Sequence, residues 1–352
     1  MTSVIDKMCQ QTAGWLSGEG VDSDIVISSR TRLARNLQNI SFVDRATEDE
    51  HRESLSKVLN AVQDNEFLND GFYFDISILD DLDRQFFLER RLISTDFIEK
   101  DNPRGFFVTP NEETSIMINE EDHFRIQKLC SGFNLEETWH YVHQVYEELS
   151  RDLTFAFSER FGYLTACPTN VGTGVRFSVF IHLPVLTFTK EIEKVFAEMI
   201  PTGIAVRGFY GEGSKVIGNF FQISNQFTLG WTEQGILDRV IPFIKRFVSL
   251  ERDARDRVMN DDRIIIEDKI YRALGILANV RILSSIEFLD LLSALRLGAD
   301  LDMVNNINRK SFNELIVFTQ PAHIQKIEGR KLTERERDTI RARLVREKLH
   351  FN

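Results

Sequence analysis

The segment Val175–Leu183 constrains the fold more than any other part of the sequence, because its side chains alternate strictly. Its odd-numbered positions are all apolar, whereas its even-numbered positions include Arg176 and His182. Residues two apart lie on the same face of a β-strand, so the pattern predicts a strand with one face in a hydrophobic core. The other face presents Arg176 to the space above the sheet.

Shorter patterns of the same kind predict a mixed fold around this strand. Extended segments and amphipathic helices are predicted by their apolar periods of two and of about 3.6 residues. The predicted strands are Asp24–Ser29, Thr114–Asn119, Ala205–Arg207 and Phe220–Ser224, and the predicted helices are Thr47–Asp64, Glu136–Leu153 and Lys190–Ile200.

From about Thr232 the pattern becomes wholly helical. Further helices are predicted to begin near Asp262, Ser285, Lys310 and Glu334, with capping boxes at Ser284 with Glu287 and at Thr333 with Glu336. The sequence therefore predicts an α+β fold: a first domain over residues 1–255, built on an antiparallel sheet flanked by helices, and an all-helical domain over residues 256–352.

Composition excludes several classes of function. The net charge is −11, which argues against a nucleic-acid partner because phosphate backbones need basic patches. The sequence has no run of about 18 apolar residues, the length that would suggest a membrane span, and its N-terminus lacks a signal-peptide pattern. Cys9, Cys130 and Cys167 are predicted to be free thiols in the cytoplasm, and no spacing indicates a protein-bound metal site.

Arg30 and Arg32 follow the predicted strand at Asp24–Ser29 in the run SSRTR. A spacing of two places both guanidinium groups on one side of an extended backbone. Two planar donors side by side suit the oxygens of a phosphate chain. A solvated strand end is the simpler structural interpretation.

The run NEEDHFR, residues 119–125, follows the strand at Thr114–Asn119. If the chain stays extended there, Glu121, His123 and Arg125 share a face. If a helix begins there, Glu121 and Arg125 form a weak i,i+4 ion pair.

CPTNVGTGVR, residues 167–176, leads through a Pro/Gly turn into the alternating strand. Gly172 and Gly174 would let backbone amides approach a ligand, although a plain hairpin turn also explains them. Cys167 is either a small core residue or a functional thiol. RGFYGEG, residues 207–213, places Arg207 and Glu212 on a glycine-rich loop able to close over substrates.

Together and in this order, SSRTR, NEEDH, CPTNVGTGVR and RGFYGEG resemble the ATP:guanido phosphotransferases, the phosphagen kinase superfamily, and within it the bacterial protein-arginine kinases. The resemblance covers nearly the whole chain. It implies a phosphagen-kinase-like catalytic domain that uses ATP, with Mg²⁺ bound mainly through the nucleotide's own oxygens.

The resemblance also implies roles for single residues. Glu121 matches the catalytic glutamate, Glu212 the second glutamate on the acceptor guanidinium, and Cys167 the reactive cysteine beside it. The residues that match the arginine cage around the ATP phosphates are Arg30, Arg32, Arg125, Arg176 and Arg207.

These residue types suit the transfer of a phosphoryl group to a guanidinium. Negative charge spreads over the phosphoryl oxygens in the transition state, where fixed cations stabilise it. A guanidinium has a pKa above about 12 and is a poor nucleophile while protonated, so a carboxylate has to orient it and accept a proton.

A protein substrate is expected from architecture. By the resemblance, kinases of free arginine or creatine carry a helical domain ahead of the SSRxR strand, whereas that strand begins here at residue 24. The acceptor pocket is therefore expected to be open. Two alternatives are a kinase of free arginine or another small guanidino compound, and a catalytically silent adaptor that binds phosphoarginine.

The run RDTIRA matches, through Arg337, Asp338, Arg341 and Ala342, the RDxxRA motif that forms a phosphoarginine pocket in the protein-arginine kinases. On a helix Asp338 and Arg341 are i,i+3 neighbours. A solvated, salt-bridged helix face is the other interpretation of this charged run.

The resemblance suggests protein quality control and stress response as the setting. The partners it suggests are an activating zinc-binding protein (McsA-like), a heat-shock repressor (CtsR-like) and a Clp unfoldase, and exposed apolar stripes on the C-terminal helices favour a homodimer or higher oligomer. Two residues depart from the family pattern. Arg91 stands where histidine is usual, and Phe177 replaces a small residue on the core face, where a packing change is expected.

Overall fold

The predicted strands all belong to one antiparallel β-sheet. The computed structural model describes residues 2–68, 70–209, 217–305 and 307–349. Within these ranges the strands are β1 (Val26–Arg35), β2 (Phe72–Asp75), β3 (Gly105–Val108), β4 (Thr114–Ile118), β5 (Phe124–Ser131), β6 (Phe157–Ser158), β7 (Gly162–Tyr163), β8 (Val175–His182), β9 (Ile204–Gly208) and β10 (Phe220–Asn225). The large sheet has the order β2-β3-β4-β5-β1-β8-β10-β9, and β6 and β7 form a separate hairpin.

Both faces of β8 are covered, although in different ways. Phe177 is fully buried on the core face, where its ring lies 5.8 Å from that of Trp139 in an edge-on contact. On the other face His182 is also buried, and its Nε2 lies 2.8 Å from the Ser293 hydroxyl of the C-terminal region. Helices thus cover one end of this second face and leave its Arg176 end beside a cleft.

The helices surround the sheet and fill the C-terminal third. They are α1 (Thr2–Gln10), α2 (Glu48–Gln63), α3 (Asp81–Glu89), α4 (Thr95–Glu99), α5 (Leu135–Leu149), α6 (Pro184–Phe188), α7 (Ile192–Met199), α8 (Glu233–Asp261), α9 (Arg263–Asn279), α10 (Ser285–Asp300), α11 (Arg309–Phe318), α12 (Pro321–Glu328) and α13 (Glu334–Lys348). Among the described residues, no helix is long and apolar enough to cross a bilayer.

The predicted helices are confirmed, and one capping box forms as expected. Thr333 and Glu336 exchange both capping contacts at the start of α13. At Ser284 the hydroxyl accepts from the Glu287 amide at 3.2 Å, and the described contacts include only this half of the predicted box. Helix α12 was not predicted from the sequence.

The charged stretch near Arg252 lies inside the long helix α8 and is partly buried. Glu251 accepts hydrogen bonds from the amides of Val185 (3.1 Å) and Leu186 (3.0 Å), so it caps α6. Arg255 donates to Glu251 at 3.0 Å, which pairs the buried charge. These charges therefore fasten α8 to the sheet domain.

The C-terminal helices also pack directly on the start of β1. Arg296 of α10 is fully buried and donates to the Ser23 carbonyl (2.9 Å) and to Asn313 Oδ1 (2.6 Å). The α+β architecture expected from the sequence, an antiparallel sheet followed by a helical region, is confirmed.

Candidate active site

A cleft of about 680 Å³ lies on the second face of the sheet and is lined by an unusual number of arginines. β1 runs to Arg35, so Arg30 and Arg32 lie within the strand instead of after it. The antiparallel register places Arg32 opposite Arg176 of β8. The arginines that line the cleft are Arg30, Arg32, Arg91, Arg125, Arg176 and Arg207.

The positive charges of Arg30 and Arg32 lie close to other arginines and are only weakly balanced by negative charge. Burial, followed by the neighbouring arginines, lowers the pKa of both side chains well below the ordinary arginine value. Arg30 Nε lies 3.4 Å from the Ser178 hydroxyl, whereas Nε and Nη2 of Arg32 are buried without a hydrogen-bond partner among the described residues. Arginine stays protonated in proteins, so this repulsion would be relieved by a bound anion.

An ion pair with a carboxylate fixes the position of Arg125 in the cleft. Arg125 pairs with buried Glu120, which also accepts a hydrogen bond from the Ser94 hydroxyl. Burial opposes the charged form of Glu120, but Arg125 and Ser94 outweigh it and lower the pKa of Glu120. The helical interpretation of residues 119–125, with an ion pair between Glu121 and Arg125, is therefore wrong.

Residues 119–123 form a tight turn between β4 and β5. Asn119 has a left-handed backbone (φ 60°), and its side-chain amide donates to the carbonyls of His51 and Pro103, both at 2.8 Å. His123 is buried and accepts the Leu37 amide at 3.1 Å. These contacts hold the turn from both sides.

Glu121 is the half-buried residue of this turn that lines the cleft. Burial, and then the neighbouring Glu120 carboxylate, raises the pKa of Glu121, while Arg125 partly opposes the shift. Asp96 of α4 also lines this end of the cleft and adds to the negative potential at Glu121. A carboxylate with a raised pKa beside a cationic cleft is suited to accept a proton from a reacting group.

Cys167 lines the cleft from the loop that precedes β8. It caps the short 3₁₀ turn Pro168–Asn170, and its Sγ lies 3.1 Å from the Thr169 hydroxyl. The side chain is half-buried, so Cys167 is not a core residue. The three cysteines are free thiols, as predicted.

The glycines of this loop make room for the chain's own backbone. Gly172 has φ +108°, and a Cβ there would lie 2.6 Å from the Thr228 carbonyl oxygen. A Cβ at Gly174 would lie 2.5 Å from the Ala34 carbonyl oxygen. Close packing of the loop against β1 and the segment after β10 therefore accounts for both glycines.

The glycine-rich connection after β9 is only partly described. Arg207 lies opposite Gln222 in the register of β9 and β10 and lines the cleft with Phe209. Glu212 lies outside the described residues.

Arg91 is a cleft residue that motif reasoning did not include in the cage. Its backbone is left-handed (φ 63°), and its guanidinium carbon lies 4.4 Å from the ring centre of Phe180 and 5.5 Å from that of Phe209. Burial lowers the pKa of Arg91 to about 10. The only feature of the sequence that singled out Arg91 was its departure from the family pattern.

The RDTIRA segment lies on α13, and its residues do not themselves line the arginine cleft. Arg341 is buried and donates to the Thr319 (2.9 Å) and Leu283 (2.8 Å) carbonyls and to Asp338 (2.5 Å). Arg337 donates to the Leu332 carbonyl at 2.8 Å, and Ala342 is fully buried. The predicted i,i+3 contact is confirmed, and Arg341 does not belong to a solvated helix face.

Holding a divalent metal directly would require a cluster of ligands. Within the described ranges, no group of three or more His, Cys, Asp and Glu side chains is arranged to hold a metal ion.

Comparison with known proteins identifies the family. Residues 34–254 match the family model "ATP:guanido phosphotransferase, C-terminal catalytic domain", and residues 263–352 match "Protein-arginine kinase McsB C-terminal domain". The protein-arginine kinase of Clostridium tetani is 44% identical over 95% of this chain and 98% of its own length, and that of Bacillus subtilis is 40% identical over 96% and 94%.

Solved structures show the same catalytic fold. A lombricine kinase structure superposes with a TM-score of 0.60 at 22% identity, over 72% of each chain. The fold and the arginine cleft are consistent with the two family-model matches. The chain belongs to the protein-arginine kinases of the ATP:guanido phosphotransferase family.

Proposed function

We propose that this protein transfers the γ-phosphate of ATP to the guanidinium group of arginine side chains in proteins. The observation that carries the proposal is the convergence of arginines in one cleft, where Arg32 has buried N–H groups without partners among the described residues. Phosphate oxygens are the acceptors that such planar donors bind best. Membership of the protein-arginine kinase family supports arginine in proteins as the acceptor.

The phosphate chain of ATP would lie over β1 and β8. Arg30, Arg32 and Arg176 reach it from neighbouring strands, Arg125 from β5 and Arg207 from β9. Because these guanidinium groups are fixed before the reaction, they stabilise the charge that develops on the transferred phosphoryl group. Mg²⁺ would be held mainly by the nucleotide and would neutralise part of its negative charge.

The acceptor guanidinium would lie at the end of the cleft that Glu121 and Cys167 line. Glu121 orients it and accepts the proton that leaves the attacking nitrogen, a task for which its raised pKa is suited. As the N–P bond forms, the bond to the leaving ADP oxygen breaks. The family resemblance gives Glu212 the role of a second carboxylate on the acceptor and places Cys167 beside it.

The C-terminal region would regulate this reaction. We propose the division into a catalytic domain (1–255) and a helical domain (256–352), with Arg337, Asp338, Arg341 and Ala342 as an allosteric phosphoarginine-binding site. Buried Arg341 would shape that site through its contacts with two other segments, at Thr319 and Leu283, while less buried Arg337 is better placed to meet a ligand.

The cellular setting rests on the resemblance. We propose a cytoplasmic enzyme of protein quality control that acts as a homodimer or higher oligomer. An McsA-like zinc-binding activator, a CtsR-like heat-shock repressor and a Clp unfoldase are the proposed partners.

The test uses the full-length protein with ATP, Mg²⁺ and either casein or free arginine, followed by detection of acid-labile phosphate by mass spectrometry. Phosphoarginine on casein, with much slower use of free arginine, is expected. Product on free arginine alone would assign the protein to small guanidino compounds. Product on neither acceptor would contradict the proposal and favour a silent adaptor.

A further inference from the structure

A second, smaller cavity opens at the same end of the sheet as the Cys167 loop. Its volume is about 230 Å³, and it lies between the segment after β10, the start of β9 and the first turns of α8. Phe227 and Trp231 form its outer wall and are 57% and 47% exposed, whereas Ile204 and Val240 of its floor are buried. Ligand pockets usually measure about 300–1,000 Å³, so this cavity suits one apolar side chain better than a cofactor.

The wall of the cavity is fixed despite its exposure. Asn225 Nδ2 donates to the Phe227 carbonyl at 3.2 Å. Gly203 adopts φ +96°, and a Cβ there would lie 2.8 Å from the Phe227 ring. The Arg239 guanidinium carbon lies 5.1 Å from the ring centre of Trp231. A binding surface that is already ordered loses little conformational entropy when it takes a ligand.

Hydrogen bonds join this wall to the acceptor end of the cleft. The Thr228 hydroxyl, next to Phe227, lies 2.9 Å from the Thr169 carbonyl oxygen and 2.7 Å from that of Val171. The Thr173 amide donates to the Thr228 carbonyl at 3.3 Å. The segment after β10 and the Cys167 loop therefore form one connected rim.

The rim continues on its other side as exposed apolar surface. Leu229 is 51% exposed and lies beside Gly172, whose added Cβ would be 2.8 Å from the Leu229 Cα. Gly172 bridges to Tyr163 of the β6–β7 hairpin, whose Phe157 and Phe161 are exposed. We define the apolar rim as Phe157, Phe161, Phe227, Leu229 and Trp231.

We propose that the apolar rim binds an extended segment of the protein substrate, with one of its apolar side chains in the small cavity while a nearby arginine enters the cleft. The inference rests on the proposed function. An arginine that reaches into the cleft leaves its own backbone at the rim, and an extended backbone presents alternate side chains to one surface.

The size of the rim favours a peptide segment over a second copy of this chain. A stable protein–protein interface takes about 20–30 residues and roughly 800 Å² from each partner, far more than five side chains provide. Apolar segments are buried in folded proteins. The rim would therefore direct the kinase to arginines that lie in unfolded or exposed apolar stretches.

The experiment compares two peptides with a single arginine, one flanked by leucine and phenylalanine and one flanked by serine and glycine. Phosphorylation is followed by mass spectrometry for the wild type, Phe227→Ala and Trp231→Ala. Phe72→Ala is the matched control, because Phe72 is 38% exposed on β2 at the opposite edge of the sheet. Thermal melts verify that each variant is folded.

We expect the wild type to favour the apolar peptide by about tenfold in kcat/KM, which is the order expected for burying one large side chain. Both rim variants should lose most of this preference through KM and leave the serine–glycine peptide unchanged, and Phe72→Ala should match the wild type. Equal use of both peptides by an active wild type would overturn the inference alone. Phosphorylation of neither peptide would overturn the proposed function as well. A changed oligomeric state of Trp231→Ala, measured by sedimentation, would assign the rim to self-association and contradict the inference.

Discussion

The Asp122 carboxylate accepts a hydrogen bond from the backbone amide of Ala166 at 2.7 Å, and this bond joins the two segments that carry Glu121 and Cys167. The same oxygen accepts from Asn36 Nδ2 at 2.6 Å, just beyond the end of β1. Burial raises the pKa of Asp122, and the two donors oppose that shift. Asp122 is thus a positioning residue for the acceptor end of the cleft.

Asp122→Ala is expected to lower kcat on a protein substrate by about 10–100-fold, because hydrogen bonds to a charged group contribute roughly 1.5–3 kcal/mol and each 1.36 kcal/mol is a factor of ten. Steady-state kinetics and a thermal melt provide the measurement. Asp122→Asn keeps an acceptor oxygen and should lose less activity. Unchanged kcat in the alanine variant would show that this connection is unimportant.

The pH dependence of kcat should report on Glu121. Its pKa is raised above the ordinary value of 4.5, so the carboxylate is protonated, and unable to accept the acceptor's proton, at a higher pH than a free glutamate. Activity should therefore fall as the pH drops through this raised pKa. Glu121→Gln should lower kcat by roughly 10²–10⁴-fold and remove this acid limb. A Gln variant with a normal profile would refute the assignment.

Two Gly→Ala substitutions should change stability in opposite directions. At Gly172, φ +108° and the Thr228 carbonyl oxygen 2.6 Å from a new Cβ should make Ala destabilising by about 1–3 kcal/mol. At Gly275, inside α9, a Cβ meets nothing within 4 Å, and Ala should stabilise by about 0.8–1 kcal/mol through helix propensity. Denaturant melts measure both. Shifts of the same sign would contradict the packing described for the Cys167 loop.

Stability should also depend on pH through Glu89, which lines the cleft and caps α12. Burial raises the pKa of Glu89 to about 7, although the amides of Ala322 (2.9 Å) and His323 (2.9 Å) favour its charged form. The folded state thus prefers protonated Glu89, and this contribution is complete below pH 4.5 and lost as the pH rises through about 7.

The measurement is the Tm difference between Glu89→Gln and the wild type from pH 5 to pH 8. The variant stays neutral, so it should gain stability relative to the wild type as the pH rises. A difference that is constant across this range would mean that Glu89 keeps an ordinary pKa.

Five of the six cleft arginines can be predicted because each of them stands on a strand, whereas Arg91 follows α3. Arg30 and Arg32 share a face through their spacing of two, and alternation places Arg176 opposite the core face of β8. That the arginines of the two strands lie side by side cannot be predicted from either segment alone, because it depends on the register that places Arg32 opposite Arg176. The family resemblance supplied that information.

The partners of the acidic turn could not be predicted in the same way. Glu120, Glu121 and Asp122 are three adjacent acids, and the turn at Asn119 decides which one meets Arg125. Helix α12 was missed for a related reason. Gln320 provides no side-chain cap, and the cap comes from Glu89, more than 200 residues away in the sequence.

The most direct test of the arginine cleft is the affinity for Mg·ATP, measured by calorimetry on the wild type, Arg32→Ala and Glu121→Gln. Arg151→Ala removes an exposed arginine outside the residues that line the cleft and serves as the charge-matched control. Arg32→Ala should weaken binding by about 10–100-fold, because charge-assisted hydrogen bonds contribute roughly 1.5–3 kcal/mol, whereas the other two variants should bind normally. Wild-type affinity in Arg32→Ala, or an equal loss in Arg151→Ala, would contradict the assignment of the cleft to the phosphates of ATP.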